Sequence, residues 1–256
     1  MTMLTDLNGE NTLECRVWPC YRHSMTKISK KGKIRKIRSF VKREGRVTEA
    51  QKAALALGTY LIPTSTFPVQ WPTVHDSTPN SKRIVELGFG DGASLLAMAE
   101  AAPDDQFIGV EVYRSGVGNL LNKITQTGVT NLRVILADAE EIIDNAFADN
   151  SLDTIQIFFP DPWHKKRHHK RRLLDAEFVE ILVRKLKNGG IVHAATDWAH
   201  YAEQMLAVLS AHPLLCNLAT TDTGFIPRPE ARPLTKYEKR GLRLGHGIVD
   251  LQFLKS

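Results

Sequence analysis

The sequence predicts a doubly wound α/β fold, in which helices cover both faces of an open, mostly parallel sheet. From Arg83 onward, continuous apolar runs alternate with helical segments, a pattern typical of parallel strands buried on both faces. A glycine-rich turn at residues 88–92 separates the first apolar run from the first helical segment. Acidic residues end three successive strands, and parallel strands bring their carboxyl ends to one rim of the sheet.

The predicted elements follow in a regular order. Strands are expected at Arg83–Leu87, Phe107–Val112, Leu132–Ala137, Thr154–Phe159 and Ile191–Ala195. Helices are expected at Ala93–Ala102, Gly118–Gln126, Ala139–Asn145, Ala176–Leu186 and Ala199–Ala211. Crossover connections between parallel strands are right-handed, which gives the doubly wound arrangement. The last apolar run, Gly247–Leu254, follows a region without a clear crossover helix, so we predict an antiparallel strand at or near the sheet edge.

The residues before this domain are predicted to form two further regions. Residues 1–26 are polar and have no apolar period, which is typical of a disordered tail. Residues 27–80 comprise a basic arm, a short helix from Thr48 to Leu57 and a proline-rich segment. The arm is either a solvated tail that docks on the core or a segment that lies along a nucleic-acid backbone. Residues 81–256 then form the main domain.

Composition and charge limit the classes of function. The 256 residues are 43% hydrophobic and 24% charged, an ordinary globular balance. The net charge is +6, and the basic residues crowd into residues 27–46, 165–172 and 228–243. Such clustering indicates a polyanionic partner that is contacted at defined places. Either a monomer or a homodimer is compatible with the sequence.

Cysteine usage and apolar patterning predict a cytoplasmic protein. The three cysteines, Cys15, Cys20 and Cys216, have the spacing of neither a zinc site nor a disulfide framework. No run is long and apolar enough to span a bilayer, and the first residues lack the apolar core of a signal peptide. We therefore expect no membrane partner. His168 and His169 lack partners at metal-ligand spacing, so we expect surface histidines and no metal.

The glycine turn and the strand-end acids predict a binding site for S-adenosylmethionine. A pyridine dinucleotide would place a pyrophosphate at the helix N-terminus, where these carboxylates would crowd the anion. S-adenosylmethionine instead offers a ribose diol, an adenine amine and a cationic amino-acid chain, all of which suit acids. We expect Gly88 and Gly90 to permit close approach of the ligand. The further expectations are Glu111 at the ribose, Asp138 and the backbone of Ala139 at the adenine, and Glu86 at the amino-acid end. Alternatively, an acid such as Asp138 is only the N-cap of the next helix.

The end of the fourth strand combines a carboxylate with a run of bases. Phe158 to Trp163 reads Phe-Phe-Pro-Asp-Pro-Trp, a stiff loop that presents Asp161 and an indole. The basic run that follows comprises Lys165, Lys166, Arg167, His168, His169, Lys170, Arg171 and Arg172. Beside a strand-end carboxylate such a run indicates phosphate contacts, although many charge runs are solvated faces. Trp163 either stacks on a base or packs on the sheet edge.

Three segments resemble the signatures of bacterial tRNA (guanine-N7-)-methyltransferases. They are Glu86 to Gly92, Phe159 to His168 and Thr235 to Glu238, and Arg38-Ser39-Phe40-Val41 is also similar. The Pro-Asp-Pro-Trp segment with its basic tail is the specific part, since many methyltransferases share the glycine turn. The resemblance covers the chain from about residue 35. It implies a Rossmann-like class I fold with a seven-stranded sheet, and methyl transfer to N7 of the guanine at position 46 in the variable loop of tRNA.

The same resemblance implies roles for individual residues. Asp161 becomes the proposed catalytic residue and, with Glu86, Glu111 and Asp138, a cofactor contact. Substrate contacts are implied for Lys165, Asp197, Thr235, Lys236, Tyr237 and Glu238. The RNA-contacting segment is implied to be Arg167, His168, His169, Lys170, Arg171 and Arg172. Tyr237 stands where the family also has Arg, a small departure. The residues alone predict a loop with a polar tip at residues 235–238, and Asp197 could equally be the N-cap of the next helix.

The chemistry of guanine limits what Asp161 has to do. N7 carries an in-plane lone pair and no proton, so displacement at the sulfonium methyl needs no general base. The methylated ring is cationic, and a carboxylate can stabilise that charge and accept hydrogen bonds from guanine N1–H and N2. Three alternatives stay open: methylation of an exocyclic base amine, a non-catalytic RNA-binding module, and a nucleotide-dependent dehydrogenase.

Overall fold

The computed structural model describes residues 38–40, 45–72, 81–243, 245 and 247–256. The predicted tail at residues 1–26 and most of the basic arm lie outside the described residues. The side chains of Lys236 and Tyr237 are also outside the description, although their backbone is within it.

A seven-stranded sheet forms the centre of the domain, in the order β3-β2-β1-β4-β5-β7-β6. The strands are β1 Arg83–Leu87, β2 Gln106–Glu111, β3 Leu132–Leu136, β4 Leu152–Phe158, β5 Leu186–Thr196, β6 Leu215–Asn217 and β7 Val249–Lys255. The first five strands pair in parallel, whereas β7 is antiparallel to both β5 and β6. The predicted doubly wound α/β fold with an antiparallel C-terminal strand is thereby confirmed. The short strand β6 was not among the predicted elements.

Seven α-helices surround the sheet within the described part of the chain. They are α1 Glu49–Leu57, α2 Ala93–Ala101, α3 Arg114–Thr127, α4 Ala139–Ala146, α5 Ala176–Lys185, α6 Ala199–Ser210 and α7 Lys236–Arg243. Short 3₁₀ helices occur at Thr64–Thr66 and Lys166–Arg171. The helix α1 begins where predicted, because Thr48 and Gln51 form a reciprocal capping box. The predicted start of α3 at Gly118 was wrong by one turn.

Successive side chains of a strand point to opposite faces of the sheet, and an apolar layer packs on each face. Both sets of side chains are therefore buried. Val85 of β1 and Ile108 of β2 belong to one apolar layer, whereas their neighbours Ile84 and Phe107 belong to the other. This explains why the strands read as continuous apolar runs rather than as alternating ones.

The segment before the sheet lies against its β3 edge. The amide of Ile62 donates to the carbonyl of Val134 at 2.8 Å, and the amide of Val134 donates to the carbonyl of Tyr60 at 2.9 Å. The helix α1 contacts α3 so closely that a Cβ on Gly118 would lie 2.7 Å from the Cβ of Gln51. The division into arm, lead-in segment and main domain stays a prediction.

Cys216 in β6 is disulfide-bonded. The cysteine spacing did not predict this bond, and Cys15 and Cys20 lie outside the described residues. None of the described helices has both the length and the apolar character needed to cross a membrane.

Candidate active site

A cavity of about 610 Å³ opens over the carboxyl ends of β1, β2, β3 and β4. This volume is in the range of small-molecule sites. Its lining includes all seven of the predicted cofactor contacts: Glu86, Gly88, Gly90, Glu111, Asp138, Ala139 and Asp161. The parallel strands therefore deliver these groups to one place.

The glycine turn forms the floor of this cavity. Gly88, Gly90 and Gly92 have φ values of 78°, 64° and 74°, in the left-handed region that favours glycine. The amide of Gly88 donates to the carbonyl of Val110 at 2.8 Å, which fastens the turn to β2. A side chain at Gly92 would also come within 2.8 Å of Leu120. A non-glycine residue would be strained by the positive φ at all three positions, and at Gly92 it would also clash with Leu120.

Glu111 holds the same turn from the end of β2. Its carboxylate accepts hydrogen bonds from the amides of Gly90 (2.9 Å), Val112 (2.7 Å) and Tyr113 (3.0 Å). An ionised carboxylate has about four lone-pair sites, so Glu111 can accept one further hydrogen bond from a ligand. Burial raises the pKa of Glu111 and the three amides oppose that shift. The amide of Gly90 is used within the protein, so Gly90 has no free N–H for a ligand.

Glu86 is a buried carboxyl group that faces the cavity. Its side chain is only 3% exposed, and its Oε2 is buried without a hydrogen-bond donor among the described residues. Burial raises the pKa of Glu86 to about 8, and the charges of Glu111 and Asp91 raise it further against an opposing effect of Arg232. A cationic ligand in the cavity would favour the ionised form of this group.

Replacement of Glu86 by Gln should remove a pH dependence of stability. The folded-state pKa of about 8 exceeds the ordinary 4.5, so the contribution is present below pH 4.5 and is lost as pH rises towards 8. We expect Glu86→Gln to gain stability relative to the wild type between pH 5 and pH 8. The gain should be a few kcal/mol at most, since one pKa unit corresponds to about 1.4 kcal/mol. Urea unfolding of both proteins at the two pH values measures it. An equal difference at both would contradict the raised pKa.

Asp138 is an N-cap, as one of its two interpretations had it, and its predicted contact with the adenine stays a prediction. It lines the cavity and is also the N-cap of α4, where its carboxylate accepts from the amide of Glu140 at 3.1 Å. The cap contact fixes the carboxylate at the rim of β3, with the backbone of Ala139 beside it.

The loop after β4 places Asp161 at the mouth of the cavity. Asp161 is exposed and lines the cavity, and its charge raises the pKa of Glu111. On either side of it, Phe159 (φ 52°) and Trp163 (φ 48°) adopt left-handed backbone conformations that are costly for non-glycine residues. The amide of Phe159 donates to the carbonyl of Ala195 in β5 at 2.8 Å. The loop conformation is therefore maintained by its surroundings.

Trp163 makes contacts that neither sequence interpretation included. Its indole N–H donates to the carbonyl of Ser39 at 2.8 Å, and the ring is half-buried. The guanidinium of Arg171 lies 4.8 Å from the ring centroid, and the ring of His168 meets it edge-on at 5.8 Å. The tryptophan thus joins a residue of the N-terminal arm to the loop and to the basic run.

The basic run is not uniformly exposed. Lys165, Lys166, Arg167 and Lys170 are exposed, and His168, His169 and Arg171 are half-buried. The ring of His169 lies 4.8 Å from that of His200. Arg172 is only 2% exposed and its side chain lies inside the domain, whereas its predicted contact with RNA stays a prediction.

Thr235 to Glu238 begin a helix, and the predicted polar loop was wrong. The hydroxyl of Thr235 accepts from the amide of Glu238 at 3.1 Å, while the carboxylate of Glu238 accepts from the amide of Thr235 at 3.3 Å. This is a capping box, and its Thr-x-x-Glu spacing was visible in the sequence. Thr235 lines the cavity, whereas Lys236 and Tyr237 enter the description only through their backbone in α7.

The carboxylate of Glu238 is paired with a buried arginine. Arg232 is 1% exposed and donates to both oxygens of Glu238, at 2.7 and 3.0 Å. It also donates to both oxygens of Asp250 in β7, at 2.7 and 2.8 Å. His193 of β5 contacts Asp250 at 2.7 Å. The guanidinium carbon of Arg232 lies 5.6 Å from the ring centroids of both Phe158 and Phe159. Glu238 therefore belongs to a buried ion-pair network, and its predicted substrate contact stays a prediction.

Other side chains at the site differ from the sequence predictions. Lys239 and Arg243 line the cavity although no motif marked them, and Ser39 and Phe40, from the arm segment that resembles the family, line it as well. The spacing of Lys239 and Arg243, one helical turn apart within a basic segment, was the available signal.

Asp197 lies beside α7, since a Cβ on Gly241 would be 3.2 Å from its Oδ2. It is not the N-cap of α6, which is Trp198. Lys165 and Asp197 are not among the lining residues.

Known proteins identify the family. A family model described as "Putative methyltransferase" matches residues 80–251. A tRNA (guanine-N(7)-)-methyltransferase of Pseudomonas putida strain W619 is 54% identical over 86% of this chain and 92% of its own length. The chain belongs to the tRNA (guanine-N(7)-)-methyltransferase family. The Aliivibrio fischeri strain MJ11 member is 48% identical over 91% of this chain and 100% of its own. The aminoglycoside resistance methyltransferase NpmB1 shows a distant likeness, with 19% identity, coverage of 68% and 87%, and a TM-score of 0.47.

Proposed function

We propose that this chain transfers a methyl group from S-adenosylmethionine to N7 of guanine in tRNA, at position 46 of the variable loop. The observation that carries the proposal is a single cavity that holds both Asp161 on its stiff loop and the acids Glu86, Glu111 and Asp138. The names of the relatives, at about half identity over most of the chain, favour the same reaction. We place this activity in the cytoplasm.

The hydrogen-bond acceptors that line the cavity fit S-adenosylmethionine. Glu86 has a buried oxygen without a described donor, which an ammonium group at the amino-acid end would satisfy. Glu111 can accept one hydrogen bond from a ribose hydroxyl, and Asp138 with the Ala139 backbone suits the adenine. A dinucleotide pyrophosphate would meet these carboxylates in the same cavity, which argues against a dehydrogenase. The cofactor supplies an activated methyl group on its sulfonium.

The protein groups around the acceptor have positioning and electrostatic roles. Asp161 accepts hydrogen bonds from the N1–H and N2 groups of guanine and stabilises the positive charge of the methylated ring. Because N7 has no proton, no residue has to remove one. Lys239 and Arg243 on α7, together with the exposed part of the basic run, hold the phosphates of the RNA. Most of the rate enhancement then comes from alignment of the two reactants.

Replacement of Glu111 by Ala should weaken cofactor binding more than RNA binding. We expect the cofactor Kd to rise about 10- to 100-fold, since hydrogen bonds to charged groups contribute about 1.5–3 kcal/mol. Isothermal titration calorimetry with the cofactor, and a filter-binding assay with tRNA, measure the two affinities. Glu111→Gln keeps the shape of the side chain that supports the glycine turn, and exposed Glu100→Ala is the control. An unchanged cofactor Kd in both Glu111 variants would remove Glu111 from the cofactor site.

Nucleoside analysis of tRNA tests the proposed reaction directly. Bulk tRNA from cells that lack this protein should have lost 7-methylguanosine, and the purified wild-type chain should restore it with labelled cofactor. Methyl label on an exocyclic amine, located by mass spectrometry, would support the alternative base-amine activity. No transfer at all, with tRNA still bound, would favour a non-catalytic RNA-binding module.

A further inference from the structure

Arg172 ends the basic run, yet its side chain is directed into the protein. Its Nε donates to the carbonyl of Pro162 at 2.9 Å. Its Nη1 donates to Oε1 of Gln204 at 2.7 Å and lies 3.1 Å from Nδ1 of His200, and both residues belong to α6. The guanidinium carbon lies 4.7 Å from the ring centroid of Tyr201 on the same helix. The arginine therefore connects the loop after β4 to α6.

The contact with Pro162 falls on the residue that follows Asp161. The backbone on both sides of Asp161 is strained, at Phe159 and at Trp163. Such conformations persist only where the surrounding structure over-determines them. The amide of Phe159 is fastened to β5 and the indole of Trp163 to Ser39, while Pro162 receives its hydrogen bond from Arg172.

The chemistry of the contact suits arginine rather than lysine. A planar guanidinium presents several N–H donors in a fixed fork, so it can hold a carbonyl and a side-chain amide at the same time while it lies on an aromatic ring. An ammonium group on a flexible stem would satisfy only part of this arrangement. At 2% exposure the charge also has no access to an RNA phosphate in this conformation.

We propose that Arg172 is a positioning residue for methyl transfer, which holds the Asp161 loop against α6 so that the carboxylate meets the guanine. This inference rests on the proposed function. It assigns to Arg172 a role in the alignment of the reactants and none in the binding of RNA phosphates. Lys170, two residues earlier in the same run, is exposed and can contact RNA phosphates, so it serves as the contrasting residue.

The test compares Arg172→Met and Arg172→Lys with Lys170→Met in the full chain. Single-turnover methylation of tRNA gives the rate, calorimetry with S-adenosylmethionine gives the fraction of intact sites, and tRNA binding is measured from low to moderate salt. We expect Arg172→Met to lower the rate per intact site about 10- to 100-fold, as for a small misplacement of a reacting group. Arg172→Lys should recover part of that loss. The salt slope of tRNA binding should stay at the wild-type value in both.

Lys170→Met should show the opposite pattern. The substitution should raise the KM for tRNA. It should also reduce the slope of log K against log salt by about 0.7–0.9, the value for one phosphate contact. Arg184→Met, which removes an exposed ion pair on α5, controls for loss of an arginine elsewhere and should leave the rate unchanged.

Gln204→Leu keeps the proposal testable if Arg172→Met does not fold. Gln204 is half-buried on α6 and is the partner of Arg172, so its replacement should lower the rate about 3- to 10-fold through the same loop. Wild-type rates in both Arg172→Lys and Gln204→Leu would overturn the proposal. A reduced salt slope with a normal rate in the Arg172 variants would also overturn it and would make Arg172 an RNA contact. An inactive wild-type chain would instead contradict the proposed function itself.

Discussion

Asp161→Asn is expected to lower the single-turnover rate of methyl transfer to tRNA about a hundredfold or more, with a much smaller effect on cofactor affinity. Asparagine keeps the shape of the side chain and the flanking prolines, so the loop should persist. It removes the negative charge that stabilises the methylated, cationic guanine. It also places an amide donor opposite the N1–H and N2 donors of the base. The loss should therefore appear mainly in the rate and partly in the KM for tRNA.

Rapid-quench measurement of methyl transfer, with calorimetry for the cofactor, separates these effects. Asp104→Asn is a matched control, since Asp104 is exposed in the turn after α2 and does not line the cavity. A pH series adds a second criterion. Because guanine N7 carries no proton and Asp161 does not act as a base, the wild-type rate should show no pH dependence that comes from a general base. A near-normal rate in Asp161→Asn would exclude Asp161 from the mechanism.

Arg232→Met is expected to destabilise the protein by about 3–5 kcal/mol, since it leaves buried carboxylates without their partner. Glu238 and Asp250 each lose two hydrogen bonds from the guanidinium. Burial raises the pKa of Asp250, but hydrogen bonds from His193 and Arg232 outweigh it and hold the pKa below its ordinary value. The stabilisation that this depressed pKa represents is present at neutral pH and is lost as pH falls through the folded-state value.

Urea unfolding at neutral pH measures the loss in Arg232→Met. Arg228→Met provides the control, because Arg228 is 38% exposed and lies 3.7 Å from Glu238, so we expect a change of about 1 kcal/mol or less. The double variant Arg232→Met, Glu238→Leu removes one of the stranded carboxylates and should recover part of the stability. A loss below 1 kcal/mol in Arg232→Met would show that the ion-pair network does not stabilise the fold. Since Lys239 and Arg243 depend on the same helix, weaker tRNA binding should accompany the loss.

Much of the fold could be predicted from local patterns. The apolar runs of the parallel strands are unbroken because both faces of the sheet are covered. This pattern can be recognised in a single sequence. The glycine turn at Gly88 and the helix N-cap at Thr48 could also be predicted, since each depends on backbone chemistry within a few residues. The strand β6 was not predicted because a strand of three residues is too short to show a recognisable apolar pattern. The helix α7 escaped because a proline-rich loop obscured a capping box that was present at Thr235 and Glu238.

The sequence by itself determined the α/β architecture, the residues that meet at the carboxyl edge of the sheet, and the family resemblance carried by the Pro-Asp-Pro-Trp loop. Only the tertiary structure decided which charged residues are buried. The sequence predicted Arg172 as an RNA contact and Glu238 as a substrate contact, and it placed Arg232 in a basic cluster, yet each is at most 2% exposed. The physical reason is that a buried charge is tolerated only where hydrogen-bonded partners satisfy it. Arg172 finds its side-chain partners on α6, and Arg232 is paired with Asp250 of β7 as well as with Glu238 of α7, so tertiary contacts complete both sets.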